Sequence, residues 1–186
     1  MLPNTARILS KHKKGSNLAY YFSYGANMSK HYLENIRNIR PASSHTGYML
    51  NYKLVMNLKG PNFIEPAFAN IRFEKDARVE GVVHELTNSD LDRIVASEGE
   101  TYELVEAPVT FRNTTVFAKT LRCKESTTGE LPASKRYMKI LISAAKENNL
   151  SVDYVEFLKS KKWVYYPVLS EIFAIRVYFW VKIRAR

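Results

Sequence analysis

Cysteine occurs once in this chain of 186 residues, at Cys123. A single thiol excludes an internal disulfide and a thiolate metal cluster, and a reducing, cytosolic compartment fits such usage. As a nucleophile paired with a histidine, a lone Cys123 in a strand reads more simply as a core residue. Glycine is also scarce, with seven residues and no spacing that would cradle a phosphate. His12, His31, His45 and His84 are scattered, and no two of them have metal-ligand spacing. No stretch reaches the roughly 18 uncharged apolar residues of a membrane-spanning helix. The nearest, 172–183, is short and interrupted by Arg176 and Lys182. The first residues are basic but lack the apolar segment of a signal peptide.

What the chain does contain is the composition of a folded domain. At 46% hydrophobic and 25% charged residues, it can bury a substantial core, and its length suits one compact domain. The net charge of +10 is unevenly placed. Residues 1–16 carry Arg7, Lys11, Lys13 and Lys14 and no acid, and 151–186 carry seven basic residues against Asp153, Glu156 and Glu171. The long middle is close to neutral. A basic excess confined to the ends, without a reader motif or an aromatic-basic sheet face, argues against a nucleic-acid partner.

The pattern along the chain divides it into a basic, flexible lead-in at 1–16, a domain at 17–160 and an aromatic, basic extension at 161–186. Leu18–Phe22 reads as a buried strand running into a tight turn at Tyr24-Gly25. Ser29 caps an expected helix to about Ile36. Strands are expected near 48–57, 68–73 and 78–86. Asn88-Ser89-Asp90 opens a helix bearing Leu91, Ile94 and Val95 on one face, and Gly99 suits its left-handed C′ position. Two further strands fall near 102–111 and 115–122. Helices are expected over 134–148, with Tyr137, Ile140, Leu141 and Ala144 on one face, and over 151–158. Strands and helices that do not alternate regularly indicate an α+β domain.

Two clusters bear on chemistry. Tyr21-Phe-Ser-Tyr-Gly-Ala-Asn27 ends a strand ahead of a helix N-terminus, where consecutive backbone N–H groups and the helix dipole can hold a carboxylate. An ordinary strand-to-helix turn, with Asn27 supporting the cap, explains the same residues. The second cluster is 96–103, Ala-Ser-Glu-Gly-Glu-Thr-Tyr-Glu. Glu98 stands at the negative end of its helix dipole, where a partly buried carboxylate is expected to gain basicity suited to proton transfer near neutrality. A solvated acidic rim of Glu98, Glu100, Glu103 and Glu106 is the alternative.

Taken in order, these segments resemble the γ-glutamylcyclotransferase family. Its aromatic strand leading into Tyr-Gly-Ser-Asn corresponds to Tyr21–Asn27, with Ala26 in place of the serine. Its Ala-Asn-Ile strand corresponds to Ala69-Asn70-Ile71, and its Gly-Val-Val strand to Gly81-Val82-Val83. A Leu-Asp helix at Leu91-Asp92 closes in Glu98-Gly99, with Tyr102 soon after. Pro132-Ala-Ser-Lys-Arg-Tyr137 and Ala144-Ala-Lys-Glu-Asn-Asn-Leu150 complete a similarity running from about Leu18 to Ser160. Leu121 stands near where the family has a further pocket tyrosine.

This resemblance implies a small mixed β-barrel of five or six strands flanked by helices. It also implies cyclisation of a γ-glutamyl amide to 5-oxoproline with release of an amino acid or amine. Glu98 inherits the role of general acid/base. Tyr21, Phe22, Ser23, Tyr24, Gly25, Ala26 and Asn27 form the loop that binds the substrate's α-carboxylate, and Tyr102 and Tyr137 line the pocket. No metal or other cofactor is implied. Two alternatives share the fold: a pathway-specific enzyme that removes a γ-glutamyl group from a larger intermediate, and a non-catalytic binding module. The implied partner is a small γ-glutamyl molecule, and a homodimer is a further candidate assembly. The C-terminal aromatics and basic residues suit either a peripheral membrane contact or packing on the domain or on a partner subunit.

Overall fold

The computed structural model describes residues 17–184 except Glu125, without the side chains of Val181, Lys182 and Arg184. The lead-in read over 1–16 lies outside the described residues. Five strands close into a barrel in the order β1-β3-β2-β4-β5. They are β1 (Leu18–Ser23), β2 (Ser43–Asn62), β3 (Glu65–Thr87), β4 (Tyr102–Phe111) and β5 (Thr114–Cys123). Strand β1 runs antiparallel to β3 and parallel to β5, so the barrel is mixed. This is the small mixed barrel with flanking helices that the resemblance implied.

Alternation along β1 splits the core into two. Phe22 faces the main cluster, with Met49, Leu54, Val82 and Val109. Ala19 and Tyr21, one residue out of phase, face a second cluster with Leu33, Leu86, Leu91 and Ile94. That period of two is what a strand covered on both sides requires. The second cluster belongs to α1 (Asn88–Glu98), which packs outside the barrel. Three more helices follow: α2 (Lys135–Glu147), α3 (Val152–Lys159) and α4 (Leu169–Arg184). A short parallel pair, β6 (Ala133–Ser134) with β7 (Trp163–Val164), ties the start of α2 to the segment after α3.

Several local expectations need correction. The strands expected at 68–73 and 78–86 are one continuous β3, paired with a nearly as long β2. The charged run between them does not break the strand, because paired irregularities absorb it. Asn51 and Asp76 both take positive φ, and the Asp76 amide donates to Asn51 Oδ1 at 3.1 Å. Such bulges bend a long hairpin without ending it. Helix α1 opens at Asn88 as expected, and its cap is Thr87, whose Oγ1 accepts from the Asp90 amide at 3.1 Å. It does stop at Gly99, but with φ 74° and ψ −168°, a glycine conformation outside the left-handed helical well. The helix expected from Ser29 to Ile36 is present, with Ser29 Oγ accepting from the Tyr32 amide at 3.3 Å, but over Tyr32–Ile36 it is wound as a wide π-type turn, and a 3-10 turn over Ala26–Met28 precedes it.

Gly81 shows how closely the barrel strands approach. A Cβ there would lie 2.2 Å from the Ser23 carbonyl oxygen and 2.9 Å from the Phe22 ring. Neither backbone nor a fully buried ring can yield cheaply. Gly81→Ala is therefore expected to lower stability by about 1–3 kcal/mol, read as a lower urea midpoint at unchanged slope.

Candidate active site

The site forms where the end of β1, the two short turns and the end of α1 meet. Asn27 is buried, and its side chain is used on both sides. Its Nδ2 donates to the Tyr21 hydroxyl at 3.0 Å and reaches Glu98 Oε1 at 3.5 Å. Its Oδ1 accepts from Arg37 Nε at 2.7 Å. The Arg37 guanidinium then donates through Nη1 to Ser97 Oγ and through Nη2 to Glu98 Oε1, as an ion pair. Its planar fork allows one side chain to engage three partners at once. The π-type turn makes this reach possible: the Arg37 amide bonds back to the Tyr32 carbonyl at 3.0 Å, setting Arg37 over the loop. Tyr32 covers the guanidinium from the other side, 5.4 Å from its ring centroid.

Glu98 is thus neither part of a solvated rim nor governed by its helix terminus alone. Its side chain keeps 22% exposure, whereas that of Arg37 keeps 7%. The contacts described for Glu98 fall on Oε1, which leaves Oε2 for other chemistry. Arg37 itself was missed from sequence. A single arginine at the end of a short turn has no pattern that marks it, and only the folding of the loop against α1 reveals its partners.

Five tyrosines lie near enough to Glu98 to feel its charge. Burial pushes the phenols of Tyr21, Tyr24, Tyr32, Tyr102 and Tyr137 above their ordinary value, and the Glu98 charge adds to the shift in each. All five therefore stay protonated and can donate hydrogen bonds near neutral pH. Tyr102 and Tyr137 converge on one residue of β3: Tyr102 donates to the Ala69 carbonyl at 3.2 Å, and the Tyr137 hydroxyl accepts from the Ala69 amide at 3.3 Å. The neighbouring Asn70 stitches strands together, its Oδ1 accepting from the Cys123 amide at 3.0 Å and its Nδ2 donating to Asn57 at 3.0 Å. The Ala69-Asn70-Ile71 segment thus has a physical role in placing both tyrosines. Tyr137 is further fixed by its helix cap, since Ser134 Oγ accepts its amide at 3.0 Å while donating to buried Glu65. Arg136 completes this anchor with a 2.6 Å contact to Glu65.

The loop residues divide by role. Gly25 lies beside Tyr137, whose hydroxyl would stand 3.4 Å from a Cβ at that position. Tyr24 donates to the Leu121 carbonyl at 2.5 Å. The Met28 and Ser29 amides are used within the turn, bonding the carbonyls of Gly25 and Ala26 at 3.0 Å each. Phe22 is fully buried in the main core, and Ser23 contacts His84 Nε2 at 3.2 Å, away from Glu98. Ala26 is half-buried against the main core. Among the described residues no three His, Cys, Asp or Glu side chains group as metal ligands.

His84 supports the loop from beneath. Burial lowers its pKa to about 4, against a partial gain from the Asn27 carbonyl. The neutral ring donates from Nε2 to that carbonyl at 3.0 Å and accepts at Nδ1 from Ser44 Oγ at 2.8 Å. Because the folded value lies below the ordinary 6.5, the unfolded chain binds the extra proton between these limits. The stability is present above about pH 6.5 and is lost as pH falls towards 4. Its size is on the order of 3 kcal/mol from the linkage relation. Thermal melts of wild type and His84→Gln should therefore diverge near neutrality and converge near pH 4. Arg37→Met is expected to cost about 1–3 kcal/mol, less than a fully buried broken pair because Glu98 can rehydrate. Urea titration at pH 7 measures it.

Comparisons with known proteins meet this geometry. Residues 78–158 match the model of the AIG2-like family. A search of curated proteins finds no match. Among solved structures, a γ-glutamyl cyclotransferase superposes with a TM-score of 0.70 at 21% identity, covering 86% of this chain and 99% of the other. An uncharacterized protein from Homo sapiens gives a TM-score of 0.72 at 24% identity, covering 86% and 98%. YkqA from Bacillus subtilis gives 0.65 at 21% identity, over 81% of this chain and 58% of that one. The chain has the γ-glutamylcyclotransferase fold that the resemblance implied.

Proposed function

We propose that this chain, built on the γ-glutamylcyclotransferase fold, is an enzyme that cyclises a γ-glutamyl amide to 5-oxoproline and releases an amino acid or amine. The observation that carries this reading is the Glu98 carboxylate, held at Oε1 by Arg37 and Asn27 with buried tyrosines close enough to feel its charge. A γ-glutamyl amide contains its own nucleophile, the α-amine, at five-ring distance from the γ-carbonyl carbon. Intramolecular attack needs no second reactant, so the protein's task is to fold the substrate and move protons.

Glu98 Oε2 accepts a proton from the substrate's α-ammonium, freeing the lone pair that attacks the γ-carbon. The new C–N bond closes the ring. The amide C–N bond then breaks as the leaving nitrogen takes the proton from Glu98, and the ring nitrogen gives up its second extra proton to the carboxylate, from which it passes to the released amine. Arg37 and Asn27 act as positioning residues, fixing one oxygen so that the other faces the reaction. Tyrosine hydroxyls near Glu98 would donate to the oxygen that gains charge on attack. The Tyr21–Asn27 loop would hold the α-carboxylate, with Ala26 still supplying its backbone N–H.

A binding-only role is favoured by one observation, the pairing of Glu98 with an internal guanidinium. The two readings separate in one assay. With γ-glutamyl dipeptides and γ-glutamyl amines, wild type is expected to release 5-oxoproline. Glu98→Gln, with its fold checked, is expected to lose about 10²-fold or more in kcat/KM. Binding of these compounds without product from wild type would support the binding module. Equal turnover by both proteins would overturn the role of Glu98.

A further inference from the structure

Helix α4 and the segment before it are not used by the proposed chemistry. The helix presents its larger apolar residues outward. Leu169, Ile172, Ile175, Phe179, Trp180 and Ile183 are all about half exposed or more, and at helical spacing they form one stripe. The opposite side, which turns towards Tyr32, Ile36 and Ile140 across a cavity of about 440 Å³, carries Ala174, Val177 and Tyr178. A surface helix normally hides its bulkier apolar side and shows its polar one. Here the order is inverted, and the exposed stripe asks for a covering medium.

The neighbouring aromatics extend the same surface. Phe63, at the tip of the β2–β3 hairpin, meets Tyr166 edge-on at 5.2 Å. Lys135 Nζ lies 4.7 Å from the Tyr165 ring and 5.5 Å from Trp163. All four aromatic rings are exposed. Arg176 is exposed on the helix, and the sequence adds Lys182 and Arg184 to it. The one acid of α4, Glu171, accepts a hydrogen bond from the Tyr165 hydroxyl at 3.1 Å.

We propose that α4 and the aromatic ledge at 163–166 form a peripheral docking surface for an anionic lipid bilayer. Charge selects an anionic bilayer over a second copy of this chain: a two-fold contact through this face would bring the basic residues of both copies together, whereas anionic headgroups complement them. Among the described residues no helix is long and apolar enough to span a bilayer. Lying in the plane of the interface, with aromatics at headgroup level, accounts for both the exposed apolar residues and Arg176, which shares their side of the helix and can reach up to the headgroups.

The test is flotation of the full chain with phosphatidylcholine vesicles and with mixed phosphatidylserine–phosphatidylcholine vesicles, at low and high salt. Wild type is expected to float with the mixed vesicles, less so at high salt, and to bind pure phosphatidylcholine more weakly. The double substitution Ile175→Glu with Phe179→Glu is expected to weaken flotation about tenfold or more, with an unchanged near-ultraviolet circular dichroism spectrum. The lipid-charge and salt comparisons use wild type alone, so they stand even if the double variant does not fold. No flotation with the mixed vesicles, or flotation equal for both lipid compositions, overturns the proposal. Flotation unchanged in a folded double variant also overturns it. So does a wild-type dimer in sedimentation that the double variant abolishes, because the stripe is then covered by a second copy.

Discussion

The Arg37 guanidinium joins three pieces of chain that are distant in sequence. It bonds Asn27 at the end of the β1 loop, and Ser97 and Glu98 at the end of α1. Without it, Glu98 would be a carboxylate on a helix end, free to rotate into solvent. With it, one oxygen is held and the other is directed. A site arranged in this way has settled its geometry during folding, so substrate binding need not order it. The π-type turn that delivers Arg37 is an irregularity of the kind that accompanies functional positions, and here its cause is visible in the reach it provides.

The barrel serves this network as a fixed frame. The closeness of β1 and β3 at Gly81 sets the level at which the Tyr21–Asn27 loop leaves the sheet. His84 on β3 holds the loop's Asn27 carbonyl from below. On the far side, Ala69 receives two tyrosine hydroxyls through its own backbone, and Asn70 locks that stretch to β5 and β2. The Glu65–Ser134–Arg136 cluster then fixes the start of α2, and with it Tyr137. The buried polar groups named here, His84, Asn70, Glu65 and Ser134, each have a partner, as burial demands. The frame and the carboxylate are therefore held by separate anchors, so a change in one need not dissolve the other.

The C-terminal segment follows different physics. It adds apolar surface to the outside instead of completing the core, and its basic residues differ from the near-neutral character of the middle of the chain. The proposed chemistry belongs to the barrel and the proposed surface affinity to α4. The cavity between them is lined by Tyr32, the same ring that covers Arg37.

By itself the sequence determined what depends on local pattern and local chemistry. The periods of β1, β4, β5, α2 and α3 were legible because each burial face repeats within a few residues. Glu98-Gly99 at a helix end and the Tyr-Gly-Ala-Asn turn were legible as residue types suited to their positions. Only the tertiary structure decided the rest. The charged stretch inside β3 looked like a break, because the pairing that carries the strand through it lies on β2, around Asn51. Arg37 was silent because its partners lie 10 and 61 residues away. A lone charge acquires meaning only from what folding places beside it. The direction faced by α4 was equally hidden: its sequence is apolar on most sides, and which side meets the protein is decided by the shape it packs against.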